Sequence, residues 1–270
     1  MPEIEPGDRS LKDLQGLHLW HAPMSSCSQR VRIVLAETGK DYTSHLIDLA
    51  KDEHATPEYQ AIHPNGLVPA FVDNGRLFIE SVDIIQQIAD PGSELSASGS
   101  TELLAMADDA QADLKLATFE FLFRGVERSD KESFDTFQQQ HRNEWLKQFR
   151  RDFASGFEKS RIDAVVTRTD KAFKRLDDLL TDGRRFLSGN TFGLADIAWM
   201  PNVHRFSLMG WPFERTPHLK NWFERVSERQ SYKEALLDWQ NEALTGAFAD
   251  YTSQRRSEGT DIRTFGSLDG

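Results

Sequence analysis

The stretch Leu67-Val-Pro-Ala-Phe-Val-Asp-Asn-Gly-Arg-Leu-Phe-Ile-Glu-Ser81 decides the fold. Two apolar runs, 67–72 and 76–79, flank Asp73-Asn-Gly75, and an Asn-Gly pair supplies the positive φ angles of a tight antiparallel hairpin. The reading is strand, turn, strand. Pro69 brings no N–H to a ladder, so Val68-Pro69 marks either an edge position or a special site with a cis bond. Residues 81–89 then take up a helical period, with Glu80-Ser81 at its start.

Working upstream, residues 17–20 read as a short strand that ends at Ala22-Pro23. Residues 26–39 read as a helix with Val31, Val34 and Leu35 at helical spacing, a serine-rich start and Gly39 as its stop. Residues 42–49 alternate as a second strand, and 57–62 form a short helix. The order βαβαββα is that of a thioredoxin-like domain, assigned to residues 1–92. Downstream, the Pro, Gly and Ser of 90–99 read as a linker. Helical periods then cover 101–128, 131–154, 160–180, 194–208, 217–228 and 232–244, an all-helical bundle domain at 101–250. The fold class is α/β plus all-α. Residues 1–13 and 251–270 are polar enough to be extensions, the second a C-terminal tail.

The chain has 270 residues, 39% of them hydrophobic, which is ample for a buried core. A net charge of -11 repels phosphate backbones and anionic headgroups, so neither nucleic acid nor a membrane surface is the expected partner. A small molecule is. The single cysteine excludes an internal disulfide, and the first thirty residues lack the basic start and apolar run of a secretory signal, so a cytoplasmic location is expected. No apolar segment approaches the roughly 20 residues of a membrane span. The sequence has no CxxC, HExxH or phosphate-binding glycine loop, and no metal site is expected.

That cysteine lies in Ser25-Ser-Cys-Ser-Gln-Arg-Val-Arg-Ile33, where the first strand hands over to a helix. Taken alone, the loop is a capped helix beside a small cysteine, or a cradle in which hydroxyls and the helix N-terminus receive an anion. Taken with Val68-Pro69 before a hairpin, Glu80-Ser81 opening the next helix and an all-helical second domain, it resembles the cytosolic glutathione transferases. The nine residues 25–33 are similar to the zeta-class signature. Phe186-Leu-Ser-Gly-Asn-Thr-Phe-Gly-Leu-Ala-Asp-Ile-Ala-Trp199 resembles the family's core motif, with Asp196 in the first turn of the central helix and Gly193 where the family usually has a Ser or Thr cap. The helical domain is longer than in zeta-class proteins, with extra polar helix at 129–159 and residues beyond 244. In length and in the run 156–180 it is more similar to bacterial serine-type transferases such as the β-etherases of lignin-derived aryl ethers. Transferases that dehalogenate chlorinated hydroquinones also carry a Ser and a Cys in this loop.

The resemblance implies glutathione as co-substrate or cofactor, with Ser25 as main donor to its thiolate and Ser26 and Cys27 as alternatives. It implies that the backbone of Val68, before a cis Pro69, pairs with the cysteinyl part of glutathione. Glu80 would take the ammonium, and Ser81 with the helix amides the carboxylate, of the γ-glutamyl end. Asn65 and Lys51 would lie near the glycine end. His63 stands where the family has asparagine and is expected at the surface. The electrophile would meet Phe119, Leu122 and Phe123, with Arg124 steering an anionic substrate. Trp199, His204, Arg205 and Trp211 are further cleft candidates with core packing as the default. The implied reaction is attack on an aromatic or apolar small molecule by conjugation, β-aryl ether cleavage or dehalogenation. The alternatives are a zeta-like isomerase holding a maleyl-type diacid with Arg30, Arg124 or Arg205, a glutathione-dependent reductase using Cys27, and a non-catalytic binding module. A homodimer is expected from the family.

Overall fold

The computed structural model describes residues 3–97, 101–126, 131–266 and 268. Strands β1 (Leu17–His21), β2 (Thr43–Leu46), β3 (Ala70–Asp73) and β4 (Arg76–Phe78) form one sheet in the order β2-β1-β3-β4. β1 runs parallel to β2 and antiparallel to β3, which is antiparallel to β4. Helices α1 (Ser26–Thr38), α2 (Pro57–Ile62) and α3 (Ser81–Ile88) complete the expected βαβαββα order. Asn74 (φ 49°) and Gly75 (φ 82°) turn the β3-β4 hairpin, as their chemistry requires.

The register aligns Leu19, Phe71 and Phe78 on one face of the sheet, all fully buried. On the other face Trp20, Ala70, Val72 and Leu77 join Leu11 and Tyr59 in a core. α1 and α3 pack side by side and bury Val31, Val34, Leu35, Ile84 and Ile85. Each of these aliphatic side chains contributes about 1.5 to 3 kcal/mol on leaving water. Residues 4–13 are not a loose extension. Ile4 bridges to Leu77, Asp8 caps a 3-10 turn at Arg9–Asp13, and Leu11 is buried.

Past α3 the chain is helical: α4 (Glu94–Ala97), α5 (Thr101–Asp109), α6 (Gln111–Phe121), α7 (Lys131–Gln140), α8 (Glu144–Ser155), α9 (Lys159–Leu180), α10 (Leu194–Leu208), α11 (Pro217–Ser227), α12 (Gln230–Ala235) and α13 (Glu242–Ser257). Three of the expected helices are divided. The first breaks at Ala110. The second breaks at 141–143, where Asn143 Oδ1 accepts from the Leu146 N–H (3.2 Å) and starts α8 anew. The last ends at Ala235, and Asn241 caps α13.

Two compact units result, Met1–Ala89 with Arg128–Ser155, and Asp90–Glu127 with Gly156–Gly270. The α7-α8 segment, expected in the helical domain, thus groups with the sheet. Its Phe137 and Leu146 bury against Ala55, and Gln60 of α2 donates to the Gln140 carbonyl (3.0 Å) and accepts from the Arg142 N–H (2.8 Å). In the second unit Phe173 gathers Trp199, Phe206, Trp211 and Phe213 around it at ring distances of 5.2 to 6.4 Å. The expected tail belongs to this unit. Arg255 of α13 is buried and paired with Glu120 (2.8 Å), and Phe265 packs edge-on against Phe121. Among the described residues no helix is long and apolar enough to cross a membrane.

Candidate functional site

β1, β2 and β4 run one way and β3 the other. The segments that follow β1, β2 and β4 and the segment that precedes β3 therefore leave from one end of the sheet. Those segments carry Ser25, Lys51, Glu80-Ser81 and Val68-Pro69, so topology alone brings most of the expected first-unit residues together. The ends of such strands are the usual place for a ligand in a wound α/β sheet.

Ser25 is the N-cap of α1. Its Oγ accepts from the Ser28 N–H (3.2 Å), which leaves the hydroxyl proton to be donated elsewhere. Ser26 and Cys27 follow as the first two residues of the helix, and all three are half-buried. Ser28 is fully buried and its Oγ accepts from the Ala22 N–H (3.3 Å), so it stitches the turn shut. Arg32 holds the same turn from the helix, donating to the carbonyls of Ala22 (3.2 Å) and Pro23 (2.9 Å) and to His21 Nδ1 (3.0 Å). Since a guanidinium only donates, the His21 proton sits on Nε2 and reaches Ser44 Oγ (2.7 Å). Burial and the adjacent Arg32 cation push the His21 imidazole down to about 3, so it stays neutral. Burial also lowers Arg32, to about 10, which leaves it charged at pH 7.

Val68-Pro69 is a cis peptide, with Pro69 buried and Val68 half-buried. Ser81 is the first residue of α3, and its Oγ accepts from Nη1 of the fully buried Arg30 (3.1 Å). Arg30 thereby joins the N-terminal part of α1 to that of α3. Glu80 is the N-cap of α3 and makes no side-chain cap. Asn65 is exposed, and Lys51 is exposed and paired with Asp48 (2.9 Å). His63 is not a surface residue: it is 1% exposed, accepts from the Asn65 N–H (3.3 Å) and bonds to the Ile79 backbone. It joins the loop before Pro69 to the residue before Glu80, and burial pushes it down to about 4.

The residues expected to meet the electrophile lie in the second unit. Leu122 is fully buried in its core and offers no surface. Phe119 and Phe123 are half-buried and meet edge to face at 5.1 Å, with Phe123 also against Phe248. Arg124 is paired with Glu120 (2.7 Å), which Arg255 also binds, so its charge is already met. Trp199, His204, Arg205 and Trp211 are all buried, as core packing predicts.

Sequence reasoning missed the supporting roles of Arg32, His21 and His63. A signal for the first was present: Arg32 interrupts the apolar run Val31, Ile33, Val34 and Leu35, and an arginine buried among such residues must have partners.

A family model described as "Glutathione S-transferase, N-terminal domain" matches residues 19–92, and one described as "Glutathione S-transferase, C-terminal domain" matches residues 159–225, together just over half of the chain. The chain is 28% identical to glutathione S-transferase TCHQD of Arabidopsis thaliana over 82% of its length and 89% of that protein's. It is 25% identical to the tetrachloro-p-hydroquinone reductive dehalogenase of Sphingobium chlorophenolicum, over 81% and 95%. In structure it resembles the β-etherase LigF from Sphingobium sp. strain SYK-6, with a TM-score of 0.71 and 20% identity, covering 82% of this chain and 98% of that one.

Proposed function

Because the chain belongs to the glutathione S-transferase family, we propose that it uses a serine-stabilised glutathione thiolate to displace a leaving group from an aromatic electrophile, acting in the cytoplasm as a homodimer. It is an enzyme of that family, with glutathione as co-substrate. The observation that carries the reading is the gathering of Ser25, Val68-Pro69 and Glu80-Ser81 at one end of the sheet.

A thiol with pKa near 8.5 is only about 3% ionised at pH 7. Lowering it by two units requires about 2.7 kcal/mol of preference for the anion. The Ser25 hydroxyl proton and the N-terminus of α1 together supply an effect of that size. Val68 presents backbone groups to the cysteinyl part, Glu80 a carboxylate to the ammonium, and Ser81 with the α3 amides a cradle for the γ-glutamyl carboxylate. Asn65 and Lys51 serve the glycine end. The thiolate then forms a carbon–sulfur bond, and the leaving group departs with the electron pair of the bond it breaks. Halide and aryloxide are the two leaving groups to test first, on the strength of the dehalogenase relative and the half-buried Phe119-Phe123 pair. A diacid isomerase is disfavoured, because Arg30, Arg124 and Arg205 are committed to Ser81, Glu120 and Thr118.

The test is the thiolate absorbance of bound glutathione against pH. The native enzyme should give a midpoint about two units below 8.5, with Ser25→Ala moving it back up and lowering turnover about 100-fold. Cys27→Ala should leave it in place. An unshifted midpoint in the native enzyme sinks the mechanism, and a shift lost only in Cys27→Ala transfers the role to the cysteine.

A further inference from the structure

The loop that leads into Val68-Pro69 is held by side chains at three successive carbonyls. Asn143 Nδ2 donates to Asn65 (3.4 Å), His141 Nε2 to Gly66 (3.2 Å) and the Tyr59 hydroxyl to Leu67 (2.6 Å). Two of the three donors come from the α7-α8 corner, a segment more than seventy residues away in sequence. The His141 tautomer is fixed, since the Asn143 N–H donates to Nδ1 (3.0 Å) and leaves the proton on Nε2, facing the Gly66 carbonyl. The fit is close: Gly66 has φ 56°, and a Cβ there would lie 2.6 Å from His141 Nε2 and 2.7 Å from the His54 carbonyl.

The end of the α7-α8 pair opposite the corner is anchored separately. Arg150 pairs with Asp52 (2.5 Å) and stacks over Phe137 (4.3 Å), and Ser133 donates to the same aspartate (2.9 Å). Hydrophobic contact of Phe137 and Leu146 with Ala55 and Leu67 fills the space between. These contacts, with the Gln60 bonds to Gln140 and Arg142, hold α7 and α8 on the sheet unit without the side chains of His141 and Asn143. The donors of His141 and Asn143 reach instead the backbone immediately before the residue that would pair with glutathione.

We propose that the 141–143 corner is a built-in support for glutathione binding, with His141 as a positioning residue that fixes the loop before Val68 in its binding conformation. The proposal rests on reading this loop as part of the glutathione site. A loop ordered in advance binds more tightly because its ordering cost is met in folding rather than in association.

Glutathione affinity is measured by calorimetry on the full chain, at a temperature where circular dichroism shows each variant folded. His141→Phe, which keeps the ring against Phe137 but has no donor, should weaken binding about fivefold, the effect of one lost hydrogen bond. His141→Gln, which restores an N–H donor, should bring affinity back to within about twofold of native. Amide exchange in the peptide spanning residues 63–68 should quicken in His141→Phe and recover in His141→Gln. Should His141→Phe not fold, Asn143→Ala carries the same expectation in direction. Native affinity and native loop exchange in a folded His141→Phe overturn the proposal. A native chain that does not bind glutathione overturns the reading of the site instead, and the exchange measurement then decides separately whether the corner orders the loop.

Discussion

Asp196 has no exposed surface and accepts four hydrogen bonds, from the N–H groups of Leu187 (2.7 Å), Ser188 (3.2 Å) and Gly193 (3.0 Å) and from Trp222 Nε1 (2.7 Å). Burial pushes its carboxyl up, and the donors oppose that by favouring the anion. Gly193 brings no side chain to the cap of α10, so the bond from its N–H to Asp196 is the remaining half of a reciprocal cap. Asp196→Asn would set an amide NH2 against those donors and should cost about 3 kcal/mol, seen as a lower urea midpoint with an unchanged m-value. The sequence motif located Asp196 and its helix turn, because a cap and its third residue are neighbours in the chain. It did not reveal Trp222, 26 residues on, whose indole fills the last acceptor position. The same limit applies at the candidate site. Ser25 was legible as a cap from local spacing, whereas the burial of His63 depends on Ile79 and on packing that no local pattern encodes.

The segment after α13 behaves as an element although it is mostly irregular. Its Gly266 N–H donates to Asp163 Oδ1 (3.0 Å), its Gly266 carbonyl accepts from Thr167 (3.2 Å), and the Leu268 carbonyl accepts from Arg215 (2.8 Å). Gly266 has φ 64°, and an added Cβ would lie 2.8 Å from Val166 Cγ1 and 2.9 Å from the Thr167 nitrogen. Gly266→Ala should therefore destabilise the enzyme by about 2 kcal/mol, through both backbone strain and overpacking, with a lowered thermal midpoint as the readout. The polar composition of 251–270 suggested a tail. The contrary signal was Ile262, Phe265 and Leu268, three apolar residues spaced by three within that polar run. Element types were otherwise legible wherever period and caps agreed. The breaks at Ala110 and 141–143 were not, because the helical period continues across both.

At the scale of the whole molecule, three buried imidazoles set the acid limit of stability. His21 and His204 are pushed down to about 3 and His63 to about 4, in each case first by burial. All three stay neutral in the fold, while the unfolded chain takes up protons near pH 6.5. Their contribution is therefore present above about pH 6.5 and is lost as pH falls from there toward 3 to 4, by about 2 kcal/mol for each ring at pH 5. Chemical denaturation at pH 7.5 and pH 5 should show this loss, and replacing His204 with Gln should shrink it; equal stability at the two pH values refutes the assignment. The order of the two units was legible because each is built from elements with local signals. The return of residues 128–155 to the sheet unit was not, since it depends on pairs such as Gln60 with Gln140 and Asp52 with Arg150. That return has a consequence during synthesis. The sheet and its three helices are all encoded before residue 89, but the loop before Pro69 gains its last partners only when the 141–143 corner emerges. At about 5 to 20 residues per second the nascent chain spends several seconds in between. During that interval the loop leading into the proposed glutathione site lacks two of the three side-chain donors that hold it.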